Sequence, residues 1–490
     1  MPVHVVRKNV LFQPDSSRVI ARFLYNNDQR SGDLINKVLS LSEKQQRETL
    51  IQVLRDYSKR HRSISKIFEK NFNRLTPIFN QLGIDPSTLT SAQRGLIGSY
   101  FTMEYSIEAA AFFNPSIMED PDQTGLAPGE KRVIISFRAT GEGHISSIVF
   151  RSGILDRDNN IIIEPPGRML ESPERVKNHT YHKDSFLRKL QEMQSPANAV
   201  AYTAMQEKLP ETFVYEELKK YVEETRLLMG GSTVDEVLLN EILWLASSHY
   251  EMDFSVDTSI SERVIFPIAH TEMKGIEDAR FVKFTEASGE ITYYATYTAY
   301  DGITILPKLL FTQDFYHFTV LPIHGEIAQN KGMALFPRKV HGLYAMLCRA
   351  DGMNNYISFS SNMTVWRKST LLQEPRFPWE LVQMGNCGSP IETPEGWLVI
   401  THGVGPVREY SLGVSLLDLE SPEIEIGRLD TPILVPNDLE REGYVPNVVY
   451  SCGSIIHNDS LIIPYAMSDY ASTYATVNVS ELLSELKRSK

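Results

Sequence analysis

Cysteines and long apolar runs are scarce in this chain of 490 residues. Its three cysteines, Cys348, Cys387 and Cys452, form no CxxC pair and no Cys/His cluster with zinc spacing. This excludes a disulfide framework and gives no indication of a metal site. No run of about 18 apolar residues occurs, and the first residues lack the apolar region of a signal peptide. We therefore expect a cytoplasmic protein with no metal, no cofactor and no membrane partner.

An excess of positive charge is also lacking. Lys and Arg number 49 against 61 Asp and Glu, which gives a formal net charge of -12 and a pI near 5.6. This balance argues against nucleic acid or an anionic membrane as the main partner. With 42% hydrophobic residues, the chain is long enough for a large core. Small molecules are the expected partners, and a homo-oligomer remains possible.

Two regions have helical patterning. From Asp33 to about Leu82 apolar residues recur at helical spacing, and the stretch from Asp85 opens with an Asp-Pro helix start and continues in an Ala-rich composition. Residues 1–128 are therefore predicted to form an α-helical extension. Residues 181 to about 250 are poor in strand patterns and again show helical spacing, which predicts a helical insertion.

The region 129–490 contains a repeat of short β-rich runs. Five similar segments begin at residues 129, 289, 340, 394 and 457, each with a turn, an apolar or aromatic run and a polar or glycine exit. A second strand-like run follows each segment, and the last three intervals are roughly 50 to 65 residues, close to one propeller blade. We predict an all-β fold, a five-bladed β-propeller with the helical insertion between its first two blades. A β-sandwich with long loops is the alternative, because short alternating strands occur in both architectures.

The blade pattern brings distant charged residues together. The starts of the inner strands of a propeller converge on one funnel, as do the exits of the middle strands. The candidates at these positions are Glu277, Asp278, Arg280, Arg338, Lys339, Asn386, Ser389, Asn447, Asp301, Arg349, His402 and Asp469. Carboxylates and amides bind sugar hydroxyls, whereas Arg, Lys and His stabilise phosphate. If phosphate attacks a sugar, one carboxylic acid suffices for cleavage, and Asp278 is the candidate.

Each of these residues also has a purely structural interpretation. Asp278 and Arg280 would form an ion pair at a strand entry, and His402 would be a buried core histidine. Lys339 would belong to a solvated strand end. The coincidence of these residues at equivalent blade positions favours the functional interpretation.

Several stretches taken together resemble glycoside hydrolase family 130. They are "GIEDARFVKF", "YYATYTAYDG", "LFPRKVHGLYAMLCR", "GSPIETPEGWLVITHGV", "SLGVSLLDLESPEIEIGR" and "GYVPNVVYSCG", and the similarity extends from about residue 130 to the C-terminus. The resemblance implies a five-bladed propeller enzyme acting on β-mannosides, as an inverting phosphorylase or, in some branches, a hydrolase. The helical regions lie outside the pattern of shorter members, which implies a long-form branch.

The resemblance also implies roles for individual residues. Asp278 matches the catalytic acid, which passes its proton through the mannose 3-hydroxyl. Lys339, Arg349 and His402 match positions that bind phosphate, and phosphate is the co-substrate. The implied substrate-binding residues are Glu277, Arg280, Tyr297, Asp301, Asn447 and Asp469.

The chain departs from the family pattern at the phosphate site. Phosphorylases commonly carry an Arg shortly after the Thr-Ala-Tyr motif, where this chain has only Lys308, which lacks the bidentate fork of Arg. Arg138, Arg151 or Arg408 are candidates to supply the missing charge.

Three functions follow in order of preference. The first is a β-mannoside phosphorylase that releases α-mannose 1-phosphate. The second is an inverting β-mannosidase, a hydrolase on the same scaffold, with Glu142, Glu277 or Asp301 as the base that activates water. The third is a non-catalytic sugar-binding propeller.

Overall fold

Most of the β structure belongs to five antiparallel sheets of four or more strands. The structure is a computed structural model that describes residues 3–175, 180–192, 200–228, 232–302 and 305–488. In spatial order, the first sheet contains Val264–Ile265, Ser146–Leu155, Lys131–Thr140 and Ala111–Glu119, with Ile161–Ile163 paired to Ser146–Leu155. The second contains Gly275–Thr285, Ile291–Tyr300, Ile305–Thr312, His317–Pro322, Tyr250–Asp253 and Glu174–Arg175. The third contains Ala334–Leu335, Tyr344–Cys348, Asn355–Ser360 and Ser369–Gln373.

The two remaining large sheets are built from the C-terminal part of the chain and one N-terminal strand. The fourth contains Gln383–Asn386, Gly396–Val404, Tyr410–Leu417 and Glu425–Arg428, with Ile391–Thr393 paired to Gly396–Val404. The fifth contains Val5–Arg7, Ala471–Asn478, Ser460–Met467 and Val449–Tyr450, with Ile455–His457 paired to Ser460–Met467. The N-terminal strand thus completes the fifth sheet by pairing with Ala471–Asn478.

Each sheet shares a hydrophobic core with the next sheet along the chain, and the fifth sheet shares one with the first. Ile134 and Phe281 belong to one core between the first and second sheets, and further cores join the second to the third, the third to the fourth and the fourth to the fifth. A core that includes Phe137 and Tyr474 joins the fifth sheet to the first. Every sheet therefore buries both faces against its two neighbours.

One edge strand of each sheet comes close to an edge strand of another sheet, and we call these five the central strands. These central strands are Ala111–Glu119, Gly275–Thr285, Ala334–Leu335, Gln383–Asn386 and Val449–Tyr450. The backbone N–H of Phe281 donates to Ser116 Oγ at 3.1 Å, and the N–H of Cys452 donates to the carbonyl oxygen of Pro115 at 2.8 Å. Residues at the start of the central strands are therefore close in space although they are far apart in the sequence.

Helices occupy the two regions where helical spacing predicted them. The N-terminal helices are Asp28–Ser40, Glu43–Tyr57, Ile64–Asn73, Thr76–Leu82 and Ser91–Tyr100. The helices between the first and second sheets are Lys183–Glu192, Val200–Lys208, Tyr215–Leu228 and Thr233–Ser247, and Val479–Arg488 follows the fifth sheet. Ser42 with Gln45 and Thr90 with Gln93 form capping boxes that fix two N-terminal helix starts. Short 3₁₀ turns span Pro86–Thr88, Glu142–His144, Ile260–Glu262, His270–Glu272 and Pro406–Arg408.

Each helical region also contains one two-stranded antiparallel pair. Val19–Phe23 pairs with Thr102–Ser106, and Tyr181–His182 pairs with Thr212–Phe213. No helix in the described ranges is long and apolar enough to cross a membrane.

The predicted boundary at residue 129 is wrong. Ala111–Glu119 is a buried strand of the first sheet, paired with Lys131–Thr140, and Val5–Arg7 belongs to the fifth sheet. The Ala-rich stretch before Phe112 suggested a helix, but pairing with the next strand buries its apolar side chains on both faces, which overrides helix propensity.

Candidate active site

Two β-bulges bring Asp278 and Asn114 together. The pairing register shifts between Glu277 and Arg280 in the second sheet and between Phe113 and Ser116 in the first. Both bulge residues have left-handed backbones, with φ of 55° at Asp278 and 50° at Asn114. Bulges redirect side chains next to functional sites, and here Asn114 Nδ2 donates to Asp278 Oδ1 at 2.6 Å.

Left-handed conformations recur at the same end of the central strands. Asn447 and Asp469 have φ values of 61° and 53°. Asn and Asp tolerate this region better than other residues with a Cβ, but it still costs of order 1–3 kcal/mol per residue and concentrates at functional sites. All four residues, from the first, second and fifth sheets, are Asn or Asp.

Two cations hold Glu277 and surround Asp278. Arg138 Nη2 lies 2.6 Å from Glu277 Oε1, and Arg138 Nη1 lies 3.4 Å from Asp278 Oδ1. Lys331 Nζ lies 2.5 Å from Glu277 Oε2, and its side chain is 35% exposed. Glu277 is thus held by two ion pairs, whereas Lys331 remains accessible from solvent.

The pKa values of the two carboxyl groups, Asp278 and Asp469, are shifted in opposite directions. Burial opposes ionisation of Asp278, but the charges of Arg138 and Lys331 and the hydrogen bond from Asn114 lower its pKa below the ordinary value. Burial and the nearby charge of Asp278 raise the pKa of Asp469 to about 6. Asp278 is therefore ionised in the ligand-free site, and Asp469 is the carboxyl that holds its proton longer.

Gly385 allows Arg349 and His402 to meet. A Cβ at Gly385 would lie 2.6 Å from Arg349 Cδ and 2.8 Å from His402 Cε1, closer than real contacts allow. Arg349 follows the strand Tyr344–Cys348 of the third sheet, and His402 lies in Gly396–Val404 of the fourth. Arg349 Nε is buried and has no hydrogen-bond partner among the described residues. An unsatisfied buried guanidinium nitrogen of this kind is a candidate for a ligand contact.

His402 is neutral. Burial, together with the charges of Arg349 and Arg280, lowers its pKa well below the ordinary value. Its Nδ1 lies 3.2 Å from the carbonyl oxygen of Asn386, which can only accept, so Nδ1 carries the proton and Nε2 is an acceptor. The sequence pattern grouped His402 with Lys339 and Arg349 at the phosphate site, and in the structure it lies beside Arg349 as a neutral acceptor.

Arg280 joins the second, fourth and fifth sheets. Its Nη1 donates to both the carbonyl oxygen, at 3.1 Å, and the side-chain oxygen of Asn386. Its Nη2 donates to Tyr450 Oη at 2.7 Å, and Arg280 is only 3% exposed. Arg280 therefore positions the central strands of the second, fourth and fifth sheets around Asp278.

The structure places Lys339 away from the other candidates. Lys339 Nζ lies 3.0 Å from Glu286 Oε2. Glu286 follows the far end of Gly275–Thr285, eight residues beyond Asp278, a distance of about 25 Å along an extended strand. The prediction that Lys339 joins Arg349 and His402 is wrong, because the central strand Ala334–Leu335 is so short that Lys339 already lies past its end. Arg338, paired with Glu392, lies at this same far end.

Tyr297 and Lys308 belong to a buried cluster. Lys308 Nζ lies 2.7 Å from Glu272 Oε1, and both side chains are completely buried. Tyr297 Oη donates to Glu272 Oε1 at 2.8 Å, and Tyr250 Oη donates to Glu272 Oε2 at 2.9 Å. Tyr297 Oη and Lys308 Nζ thus both contact Glu272 in this cluster, and the role of Tyr297 in substrate binding stays a prediction.

The remaining predicted residues lie at the same end as Asp278. Asp301 follows Tyr300, which pairs with Gly275 at the start of the central strand. Asn447 precedes Val449–Tyr450, and its carbonyl oxygen accepts from the Tyr410 N–H at 3.0 Å.

The three arginines named as alternative sources of charge lie in different places. Arg138 contacts Asp278 directly, and Arg408 helps to hold the pKa of Asp469 down against its burial. Arg151 instead pairs with the buried Glu108, at 2.7 Å. Of the three, Arg138 is therefore the one that supplies a cation to Asp278.

Sequence reasoning missed Asn114 and Lys331. Asn114 interrupts the apolar run "AFFNPSIME" much as Glu277 and Asp278 interrupt "GIEDARFVKF". Lys331 precedes Ala334–Leu335, and the rule that central strands start at the funnel points to it in preference to Lys339. Both signals are in the sequence, but the helical interpretation of residues 85–113 concealed the first.

Comparisons with known proteins identify the family. The family model for glycoside hydrolase family 130, described as beta-1,4-mannooligosaccharide phosphorylase, matches residues 207–488. The protein is a member of glycoside hydrolase family 130. The match contains Asp278, Lys331, Arg349 and His402 and begins later than the residue 130 expected from the motifs. Asn114 and Arg138 lie outside it, so their place at the site rests on the geometry.

Two named relatives each align with less than half of the chain. The 1,2-beta-oligomannan phosphorylase of Thermoanaerobacter sp. (strain X514) is 33% identical over 43% of this chain and 71% of its own length. The beta-1,2-mannobiose phosphorylase of Listeria innocua is 30% identical over 46% of this chain and 63% of its own length. The solved complex of beta-1,2-mannobiose phosphorylase from Listeria innocua with beta-1,2-mannobiose is 21% identical, covering 78% of this chain and 93% of that one, with a TM-score of 0.46.

Proposed function

We propose that this protein is an inverting β-mannoside phosphorylase, which cleaves β-mannosyl linkages with inorganic phosphate and releases α-mannose 1-phosphate. Membership of glycoside hydrolase family 130 and the names of the relatives support it. The observation that carries the proposal is the group of cations at the Asp278 end of the central strands. Arg349 has a buried nitrogen without a partner, and Lys331 is exposed to solvent. This arrangement suits a small multivalent anion, as phosphorolysis requires.

Phosphate is the attacking nucleophile in this proposal. One of its oxygens attacks the anomeric carbon while the bond from that carbon to the acceptor oxygen breaks, so the β linkage becomes an α phosphate ester. Arg349 and Lys331 bind the phosphate oxygens, and Nε2 of neutral His402 accepts a hydrogen bond from the phosphate hydroxyl. The net reaction moves one proton from hydrogenphosphate to the leaving alcohol, so atoms and charge balance.

Asp278 takes up one proton when phosphate binds and delivers it to the leaving oxygen, and the new phosphate ester releases the hydroxyl proton, so the net transfer balances. The cations that lower its pKa in the ligand-free site are partly neutralised when phosphate binds, so the pKa of Asp278 rises and the carboxyl gains the proton that it delivers. Delivery through the mannose 3-hydroxyl, as the family resemblance implies, needs no second carboxylate. Asp301, Asn447 and Asp469 are proposed to bind the sugar hydroxyls.

The hydrolase alternative is less well supported. It needs a carboxylate base that is free to activate water, but Glu277 is held by both Arg138 and Lys331. Glu142 lies in the exposed 3₁₀ turn Glu142–His144, which leaves Asp301 as the remaining candidate. A non-catalytic sugar-binding protein would have no use for the cations.

We also propose that the five sheets are the blades of a β-propeller. Their closed order of shared cores supports this arrangement. In this proposal the propeller is the catalytic domain, formed by Val5–Arg7 together with residues from Ala111 onwards. Residues 28–100 form the helical extension, and the helices from Lys183 to Ser247 are an insertion.

Product analysis tests the function. The purified protein is incubated with β-1,2-, β-1,3- and β-1,4-mannobiose, with and without inorganic phosphate, with Asp278→Asn as the control. Mannose 1-phosphate formed only with phosphate, and at least about a thousandfold less of it from the variant, is the expected result. Free mannose released at the same rate without phosphate would overturn the phosphorylase in favour of the hydrolase.

A further inference from the structure

A second cavity lies away from Asp278. It has a volume of about 770 Å³ and is lined by residues of the strand Val19–Phe23, the helix Ile64–Asn73, the segment 170–173 and the loop residues Phe266 and Pro267. None of Asp278, Lys331, Arg349 or His402 lines it. A cavity of this size holds a small organic molecule, since ligand sites typically measure about 300–1,000 Å³.

The walls of the cavity carry an excess of positive charge. Five basic residues and three acidic ones line it, although acidic residues outnumber basic ones in the chain as a whole. The basic residues are Arg22, Arg62, Lys66, Lys70 and Arg74, and the acidic ones are Glu171, Asp253 and Asp257. The local charge is therefore opposite in sign to that of the protein.

The acidic side chains already have partners. Asp257 pairs with Arg62 at 2.9 Å, Asp253 pairs with His317, and Glu171 Oε2 accepts from the Ser255 N–H at 3.0 Å. In contrast, the side chains of Arg22, Lys66 and Arg74 form no ion pair or hydrogen bond with any described residue. Three cations thus remain available to a ligand.

Aromatic rings fix the two available arginines. The Arg22 guanidinium carbon lies 4.9 Å from the ring centroid of Tyr105 and 4.6 Å from that of Phe266. The Arg74 guanidinium carbon lies 4.1 Å from the ring centroid of Phe23. Burial lowers the pKa of both arginines below the ordinary value, so each has lost part of its hydration. Contact with a ring covers a face of the guanidinium and leaves the N–H groups at its rim for a bidentate partner.

We propose that this cavity binds a phosphate-bearing small molecule, with Arg22 and Arg74 holding the phosphate oxygens and Lys66 adding charge. A phosphate monoester is a dianion with three acceptor oxygens, so it can satisfy two guanidinium groups and an ammonium together. Inorganic phosphate alone would fill little of the volume, so a sugar phosphate or a nucleotide is the class expected. The site itself does not depend on the proposed function; only the choice of mannose 1-phosphate as its ligand would rest on it.

Calorimetric titration tests the proposal. Mannose 1-phosphate, adenosine monophosphate and inorganic phosphate are the probes, and uncharged mannose is the negative control. The titrations use Lys331→Met protein, in which binding at the Asp278 end is weakened, so that binding at the second cavity makes up more of the signal. We expect at least one organic phosphate to bind more tightly than inorganic phosphate, and to bind more weakly at high salt.

Variants of the cavity residues provide the decisive comparison. Arg22→Gln and Arg74→Gln are each expected to weaken binding of the organic phosphate about tenfold or more. Lys66→Gln should weaken it less, and because Lys66 is exposed this variant is not expected to perturb folding. Arg55→Gln, an exposed arginine on the helix Glu43–Tyr57 outside the cavity, should have no effect. Equal affinity in Arg22→Gln, Arg74→Gln, Lys66→Gln and Arg55→Gln, or no binding of any phosphate compound, would overturn the proposal.

The probes also separate the ligand sources and the two proposals. Binding of adenosine monophosphate in preference to mannose 1-phosphate would identify a nucleotide site, and the reverse would identify a sugar phosphate site. Because the readout is binding, an enzyme that failed to phosphorolyse any mannoside would disprove the proposed function and leave this site unaffected.

Discussion

At the scale of single residues, the site depends on which cations reach the carboxylates. Arg138 and Lys331 both contact Glu277 and both lower the pKa of Asp278. Lys339, the last residue of "LFPRK", contacts Glu286 at the far end of the strand that carries Asp278. Two lysines eight positions apart in the sequence are therefore expected to have different effects on the reaction.

Lys331→Met and Lys339→Met form a matched pair of variants. Loss of one charge-assisted phosphate contact should raise the KM for phosphate of Lys331→Met about 10- to 100-fold. Lys339→Met should change it by less than about twofold, because its ammonium group pairs with Glu286, which lies about 25 Å along the strand from Asp278. Initial rates at varied phosphate with a fixed mannobiose provide the comparison. A larger effect from Lys339→Met would mean that phosphate binds at the opposite end of the central strands.

Asp469 provides a pH-dependent prediction. Its pKa rises from the model-compound value of 3.8 to about 6 on folding, so its stabilising contribution is fully present below about pH 4 and is lost as the pH rises through 6. Asp469→Asn should remove this dependence. The difference in unfolding free energy between the variant and the wild type should therefore shift in favour of the variant by about 2 kcal/mol between about pH 4 and pH 8. Urea denaturation at both pH values measures it, and a difference that does not change with pH would contradict the prediction.

At the scale of secondary-structure elements, bulges and buried ion pairs orient the strands that carry the site. The bulge at Asp278 lies in a strand that begins at Gly275, directly after the 3₁₀ turn His270–Glu272. Glu272 in that turn is bound by Lys308, Tyr297 and Tyr250. The cluster therefore fixes the entry of the chain into the central strand.

Lys308→Met tests whether this cluster is structural. Removing Lys308 leaves the completely buried Glu272 carboxylate without its counter-charge, which should lower the unfolding free energy by about 3–5 kcal/mol. The double variant Lys308→Met with Glu272→Gln should recover part of that loss, because no buried charge remains. Denaturant unfolding of the three proteins gives the comparison. If Lys308→Met instead folded normally and raised the KM for phosphate, Lys308 would be a phosphate ligand after all.

At the scale of the whole molecule, the first and fifth sheets share a hydrophobic core, so every sheet packs against two neighbours. Phe12 lies in the core between them, 6% exposed, with its ring centroid 4.9 Å from that of Phe137. The N-terminal strand Val5–Arg7 pairs with Ala471–Asn478, and Arg7 binds Glu440 at 3.0 Å. The N-terminal residues thus hold the two ends of the sheet region together.

Phe12→Ala and Leu11→Ala measure how much the packing of the N-terminal residues between the first and fifth sheets contributes to stability. Phe12→Ala should lower the unfolding free energy by about 3–5 kcal/mol because it opens a cavity between two sheets. Leu11 is 53% exposed, so Leu11→Ala should stay within about 0.5 kcal/mol. Thermal or urea unfolding provides the measurement. Equal stability of the two variants would show that the N-terminal segment contributes little to closure.

The local pattern of the sequence determined the strands and the catalytic candidate. The repeated segments predict the second strand of every sheet, because the run of apolar residues and the turn at each end are local features. The same local signal identified Asp278, because charged residues are unusual at the start of an apolar strand. Arg349 and His402 followed from the same rule about strand exits.

The tertiary structure decided the partners of those residues. Asn114 and Asp278 are 164 residues apart, Arg138 and Glu277 are 139 apart, and Lys331 and Glu277 are 54 apart. Such contacts depend on how the sheets pack against one another and on where each short central strand begins and ends. If a central strand began or ended a few residues away, a given lysine of that segment would lie at the opposite end of the strand. For this reason the sequence determined the strands and the carboxylate, whereas the packing of the five sheets determined which cations surround it.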